Sequence, residues 1–295
     1  MKKIFLFVSF AGMLVSCNSG SDYDATGIFE ATSVTVSAET SGKIISLDIR
    51  EGDTITIGKT VGAIDTTTLV LRRKQLQSQM ASIESSRPDI AKQIESLRQQ
   101  IAQQRTECHR IENMLKDGAA TQKQADDAEA MLKILNGQLE ATLSTLNKNT
   151  ASISENALSV NYQIEQIDDQ IEKSRIVAPI TGTVLTKYAE PKEFAATGRQ
   201  LFKVADMHDV YLRAYFTSSQ VASLRLGQQV TVIADFGGDK HYEYPGKICW
   251  IAEESEFTPK SIQTNDSRAN LVYAVKISVY NDGRLKLGLY GGVRL

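Results

Sequence analysis

The sequence predicts an elongated chain of mixed α and β structure. A β-sandwich is split in two, an antiparallel helical hairpin is inserted between its halves, and a small β-barrel follows. Three observations carry this. A strand-like stretch occurs twice at an offset of 140 residues, so that Ala38, Gly42, Gly58 and Ile64 recur as Ala178, Gly182, Gly198 and Val204. Between the copies, from about Leu69 to Lys173, apolar residues recur in alternating steps of three and four. Beyond the second copy the pattern returns to strand-like alternation. An internal repeat defines the structural unit, and one copy of about thirty residues buries too little surface to fold alone. The copies therefore pack as two halves of one sandwich, 31–67 and 174–205, and the intervening 68–173 leaves and re-enters the same domain.

Length and charge bound the rest. At 295 residues the chain has room for two or three domains. A formal charge of −2 leaves no basic face for phosphate backbones. No internal run of eighteen apolar residues exists, so no spanning helix is expected in the body.

The N-terminus reads as an address. Lys2-Lys3 precede an apolar stretch from Ile4 to Val15, and Leu14-Val15-Ser16-Cys17 ends it. A basic start, a short apolar run and small residues at the end make a secretory signal. It spans 1–16, and residues 17–30 read as a flexible tether. Of the other cysteines, Cys108 falls in the helical insertion and Cys249 in the C-terminal region. An oxidising compartment permits a bridge, but the two fall in different domains and read as separate small buried thiols.

The sandwich strands alternate β-branched residues between glycine turns, as in Lys43–Ile49 and Ile55–Ile57. Gly42, Gly58, Gly182 and Gly198 are read as its structural turns. In the insertion, the first arm carries Ile90, Ile94, Leu97, Ile101, Cys108, Ile111 and Leu115, with Gln104 filling one step. The second answers with Ala125, Ala128, Leu132, Leu135, Leu139, Thr142 and Leu146, and resumes from Ile153 to Ile171. Such spacing is a coiled-coil seam. The tip lies near 117–121, where Gly118 supplies a left-handed helix end and Thr121 caps the return helix. Ser85-Ser86-Arg87-Pro88-Asp89 interrupts the first arm, since Pro88 suits a first turn and not an interior. Asn147–Thr150 weakens the second at a matching level, which predicts a joint in both arms.

From Asp206 to Leu295, several short strands and one short helix capped by Ser218 or Ser219 suit a small β-barrel, with Asp235–Tyr244 as a hairpin loop. Catalysis finds no foothold. His109, His208 and His241 are scattered, no metal-ligand spacing occurs, and neither Gly-x-Ser-x-Gly nor a phosphate loop is present. No metal and no cofactor are expected.

With these residues in place the chain resembles the HlyD-type membrane fusion proteins, or periplasmic adaptors. Cys17 after Leu-x-Ser resembles a bacterial lipobox, which implies acylation at Cys17. The sandwich resembles their lipoyl-like (biotinyl-like) domain, and Ala178-Pro179-Ile180-Thr181-Gly182-Thr183-Val184 resembles its re-entry strand. Members that dock on TolC-type channels carry Arg-x3-Leu-x6-Ser at the tip. Arg110, Met114 and Thr121 stand at that spacing, followed by Asp126. Glu256-Phe257-Thr258-Pro259-Lys260 through Arg268 to Tyr273 is similar to the branch serving ABC-type exporters. The resemblance implies a lipid-anchored periplasmic protein of a Gram-negative bacterium, in a hexameric ring. It would link an inner-membrane transporter, ABC-type in preference to an RND pump, to an outer-membrane channel. Two other classes compete. A lipoyl or biotin carrier needs a lysine at the hairpin joining its halves, where this chain has Ile64-Asp65-Thr66-Thr67-Thr68 and then the insertion. A lipid-anchored coiled-coil scaffold needs the hairpin without a defined tip.

Overall fold

The protein, represented by a computed structural model, is described over residues 23–237, 241–257 and 271–295. The repeat is visible strand by strand. The first copy forms β2 (Gly42–Leu47), β3 (Thr54–Ile55) and β4 (Thr60–Ile64). The second forms β6 (Gly182–Lys187), β7 (Phe194–Ala195) and the start of β8 (Gln200–Thr217). One layer of the sandwich joins β5 (Arg175–Val177), β4, β2 and β7, and the other joins β1 (Ala25–Ser37), β8, β6 and β3. Ile44, Leu47, Ile64, Val184, Leu201 and Phe202 fill the space between them.

The halves are interlocked by equivalent hydrogen bonds. Gly52 N–H donates to the Val184 carbonyl (2.8 Å), and Val184 N–H donates to the Asp53 carbonyl (2.9 Å). One repeat later, Lys192 N–H donates to the Ile44 carbonyl (2.8 Å), and Ile44 N–H to the Glu193 carbonyl (2.8 Å). Each half thus closes the turn of the other. Gly58 (φ +77°) and Gly198 (φ +87°) occupy the left-handed positions expected of turn glycines. Gly42 and Gly182 do not; they open strands, and their lack of a side chain serves close approach. A Cβ on Gly182 would lie 2.2 Å from the Ala205 carbonyl oxygen, and one on Gly42 would lie 2.7 Å from Ile64 Cγ2.

The barrel closes through β1, β8, β12 (Leu271–Tyr280), β10 (His241–Ile251), β9 (Gln229–Asp235) and β13 (Tyr290–Arg294), which returns to β1. Its interior is packed with Phe29, Leu212, Phe216, Val232, Ile248 and Ile277. Residues 25–30, assigned to the tether from sequence, are therefore strand. They alternate buried and half-buried residues, and without them the barrel stays open. β10 begins at His241, inside the expected loop, because His241–Tyr244 pair with Val232–Asp235. The short helix α4 (Ser218–Val221) is capped by Thr217, whose backbone N–H donates to the Gln220 side chain.

β1 and β8 run through both domains. At the junction the register passes from Ser33 opposite Ala205 to Ala31 opposite Val210, so 206–209 leave the ladder. Asn281 braces this excursion. Its Nδ2 donates to the carbonyls of Met207 (2.8 Å) and Leu285 (3.1 Å), and its backbone N–H to His208 (3.0 Å). Its Oδ1 accepts from Gly283 and Leu285 N–H.

The hairpin comprises α1 (Thr67–Ser85), α2 (Ile90–Lys116) and α3 (Gln122–Lys173). Every seam residue named from the sequence is buried or half-buried. The first arm breaks at residues 86–89, with Asp89 capping α2 by accepting from Lys92 N–H. The second arm does not break. α3 runs unbroken for 52 residues, on the order of 78 Å at 1.5 Å per residue. Asn147–Thr150 contains neither proline nor glycine. Its residues cost only about half a kcal/mol each in helix propensity, too little to interrupt a helix held on either side by buried Leu146 and Ala157.

Lys192 (φ +80°) is the only described residue other than glycine with positive φ, and it stands at the repeat equivalent of Gly52 (φ +91°). The left-handed state costs an L-residue roughly 1–2 kcal/mol, partly offset by the greater freedom glycine loses on folding. Lys192→Gly should raise the unfolding free energy by roughly 0.5 kcal/mol, and Gly52→Lys should lower it. Urea titration followed by circular dichroism reads both.

Candidate functional site

The hairpin is bolted to the sandwich at both ends. After β4, Asp65 N–H donates to the Lys43 carbonyl (2.8 Å), and its carboxylate accepts from the Thr67 hydroxyl (2.6 Å) and N–H (2.9 Å). These bonds hold the Asp65 carboxyl below its usual range, the hydroxyl bond being the largest cause. On return, Ser174 is buried and its carbonyl accepts from Ile64 N–H (2.8 Å). The Ser174 hydroxyl bonds the Gln170 carbonyl and lies 3.1 Å from Thr40 Oγ1. The site where a carrier domain would present its lysine is thus occupied by two helix ends.

At the other end the tip is ordered by its own chemistry. α2 ends on Asp117, Gly118 takes φ +77°, and Ala119 N–H donates to the Met114 carbonyl (2.7 Å). Thr121 caps α3 in a reciprocal box: its hydroxyl accepts from Gln124 N–H while its own N–H donates to Gln124 Oε1 (2.8 Å). A capping box satisfies two otherwise orphaned donors. Arg110, Met114 and Thr121 are all solvent-exposed. The structure places Arg110 one turn beyond Glu107, which it holds through Nε (2.9 Å) and an Nη (2.5 Å). That paired contact lowers the Glu107 carboxyl and raises the Arg110 guanidinium. The sequence reading missed this pair, although an acid one turn before an arginine is a visible signal. Arg110 is therefore preoriented along the helix by Glu107. Asp126, on α3, accepts from Gln122.

Other predicted positions are dispersed. Cys17 lies outside the described residues, as does 258–270 of the stretch running to Tyr273. Glu256 and Phe257 form β11, paired with β12, and Glu256 accepts from Arg213 (2.7 Å). Neither cysteine is fully buried: Cys108 is half-buried in the seam, and Cys249 is exposed because it follows buried Ile248 and strand alternation places it on the opposite face. Both are free thiols. His109 sits 3.6 Å from Glu112, His208 lies in the β8 excursion and His241 lies 3.5 Å from the Tyr23 hydroxyl. Among the described residues no group of three or more His, Cys, Asp or Glu could hold a metal, and no helix is long and apolar enough to cross a membrane.

The sandwich with its inserted hairpin is the part that decides kinship. The family model for the barrel-sandwich hybrid domain of RND MFP, the membrane fusion proteins, matches residues 32–206, more than half of the chain. The chain belongs to this family. A UPF0194 membrane protein of Yersinia enterocolitica is 26% identical to this membrane fusion protein, across 99% of this chain and 98% of its own length. A UPF0194 membrane protein of Citrobacter koseri is 24% identical across 89% and 85%. The fold is similar to that of MacA from Actinobacillus actinomycetemcomitans, with TM-score 0.58, 20% identity and coverage of 91% of this chain and 76% of that one. The membrane fusion protein Spr0693 from Streptococcus pneumoniae R6 gives TM-score 0.53, 15% identity and coverage of 91% and 96%.

Removing the Thr121 cap should loosen the tip and leave the arms intact. Thr121→Ala is expected to cost about 1 kcal/mol locally. Amide exchange should accelerate at Gln122–Ala125, while Ala157–Ile164 remain as protected as in the parent protein.

Proposed function

We propose that this membrane fusion protein is the periplasmic adaptor of a tripartite exporter, joining an inner-membrane transporter to a TolC-type outer-membrane channel. The observation that carries the reading is the self-capped tip, with exposed Arg110 and Met114, at the far end of a rigidly anchored hairpin. Arg110 would offer its planar donor fork to carbonyls or carboxylates of the channel. Met114 would supply an adaptable apolar contact. Thr121 would keep the turn in one shape. The β-barrel, at the other end of the molecule, would sit on the transporter.

In the same reading Cys17 carries the lipid, and the chain is held at the periplasmic face of the inner membrane of a Gram-negative cell. Acyl chains anchor at about 0.8 kcal/mol per buried methylene. The chain works as a homo-oligomer, a hexameric ring whose hairpins line a conduit. It performs no catalysis and takes no cofactor, so the transporter supplies the energy. The likeness of Glu256–Tyr273 to exporter-associated adaptors favours an ABC-type partner. The family's own description names RND, so an RND pump is the reading to test against it.

Two substitutions and one purification test this. Arg110→Asp should reduce export roughly tenfold at unchanged protein level, since a lost arginine anchor costs more than about 1 kcal/mol and the new charge repels carboxylates. Undiminished export would remove the tip from the mechanism and favour a plain envelope scaffold. Cys17→Ser should move the protein from the membrane fraction to the soluble periplasm, whereas continued sedimentation with membranes would dismiss the lipid anchor. Affinity purification of the cross-linked parent protein then identifies the transporter as an ABC permease or an RND pump.

A further inference from the structure

The two arms of the hairpin treat one level of the coiled coil differently from the rest. In the first arm the seam runs Leu69, Arg73, Leu76, Met80, Ile83, Arg87, Ile90 and Ile94 in unbroken alternation of four and three. The pattern thus keeps its phase across the non-helical residues 86–89, and arginines stand at two seam positions. Both reach α3: Arg73 bonds Asp168 (2.9 Å) and Arg87 bonds the Ser154 hydroxyl (3.2 Å). In α3 the buried and half-buried residues break phase at the same level. Thr142, Leu146 and Thr150 follow in two successive steps of four, one residue more than a heptad seam allows. Such an insertion locally unwinds the supercoil.

Packing is sparse there. No residue of the first arm between Leu76 and Ile94 is fully buried, nor any of α3 between Leu146 and Ala157. A groove of about 360 Å³ opens between the arms, lined by Ser86, Pro88, Gln93, Leu146, Asn149 and Ile153 among others. The helix ends beside it are self-sufficient. The Ser86 hydroxyl closes α1 on the Ile83 carbonyl (2.6 Å), and Asp89 caps α2. On α3, Thr142, Thr145, Thr150 and Ser154 each donate their hydroxyl to the carbonyl four residues back. Back-bonding of this kind slightly destabilises helices and often bends them.

We propose that this level is a built-in hinge of the hairpin. The tip segment, α2 with the first half of α3, swings as one body on the base segment, α1 with the second half. α3 flexes without breaking, and the gap at 86–89 opens and closes on the groove. The Arg87–Ser154 hydrogen bond is the latch that favours the straight form. The inference is independent of lipidation and of the channel partner. It adds to the adaptor reading a compliant arm, so that the base need not be aligned with whatever the tip touches.

Spin labels test it on the mature-length chain with Cys17→Ser, Cys108→Ser and Cys249→Ser. One pair, Gln79→Cys with Gln103→Cys, spans the joint. A second, Gln103→Cys with Glu140→Cys, stays within the tip segment. Pulsed dipolar spectroscopy should give a distance distribution at least about twofold broader for the spanning pair, because a packed coiled-coil segment has no comparable freedom. Arg87→Ala should broaden the spanning pair further and leave the tip pair alone. Ser86→Ala with Pro88→Ala lets the first arm continue as helix and should narrow it. Equal widths for both pairs in the parent protein overturn the hinge. So does a spanning distribution that Arg87→Ala leaves unchanged while circular dichroism shows full helix content.

Discussion

The structure depends on a reciprocal set of backbone hydrogen bonds. Ile44, in the first copy of the repeat, is bonded to the turn at Lys192 and Glu193, and Val184, its equivalent, to the turn at Gly52 and Asp53. Neither half can satisfy these groups alone. An unpaired buried amide or carbonyl costs about 1–3 kcal/mol, so each half has a strong requirement for the other. The polypeptide must therefore come back to where it left, and everything between β4 and β5 is obliged to form a closed excursion. An antiparallel hairpin is the simplest excursion of that length, and Asp65 and Ser174 fix its ends to adjacent strands.

The same economy joins the barrel to the sandwich. β1 and β8 each supply a strand to both domains, so the two cannot separate without breaking two ladders. The four residues that bulge from β8 supply the change of direction, and the fully bonded Asn281 holds that bulge to the turn before β13. Buried polar groups of this kind rigidify when every bond is made. The domain junction is thereby braced on both strands, and sparse packing among the described residues falls elsewhere, within the hairpin.

Much of this could be read from the residues, for identifiable reasons. The repeat was legible because glycine positions at Gly58 and Gly198 report backbone geometry directly. The seam was legible because burial follows a fixed period, and the Thr121 cap because a hydroxyl shortly after a helix-ending glycine suits the start of the return helix. Residues 25–30 were misread because Thr26, Gly27 and Glu30 look like a tether when the partner strands, β13 and β8, lie more than 170 residues away in sequence. The break expected in the second arm failed because Asn and Thr weaken a helix without removing a donor, whereas Pro88 removes one. Cys249 was misplaced because its residue type suggested burial, although alternation with Ile248 on the inner face already turns it outward. Lys192 hid in the repeat itself: alignment with Gly52 would have exposed its strained φ.

The tip chemistry also looks different once its electrostatics are visible. An exposed arginine on a helix is a poor anchor if its side chain must be ordered on binding, since that costs about 0.5–1.5 kcal/mol. Glu107 meets part of that cost in advance by holding the guanidinium along the helix with two hydrogen bonds. The pair is largely solvent-exposed, so its own strength is small, and under the docking proposal a partner carboxylate in a less hydrated setting would displace Glu107. Orientation is kept while affinity is left to the partner. Under the docking proposal, this would suit a contact made at the end of a long lever, where a strong preformed interaction would fix the arm before the geometry was right.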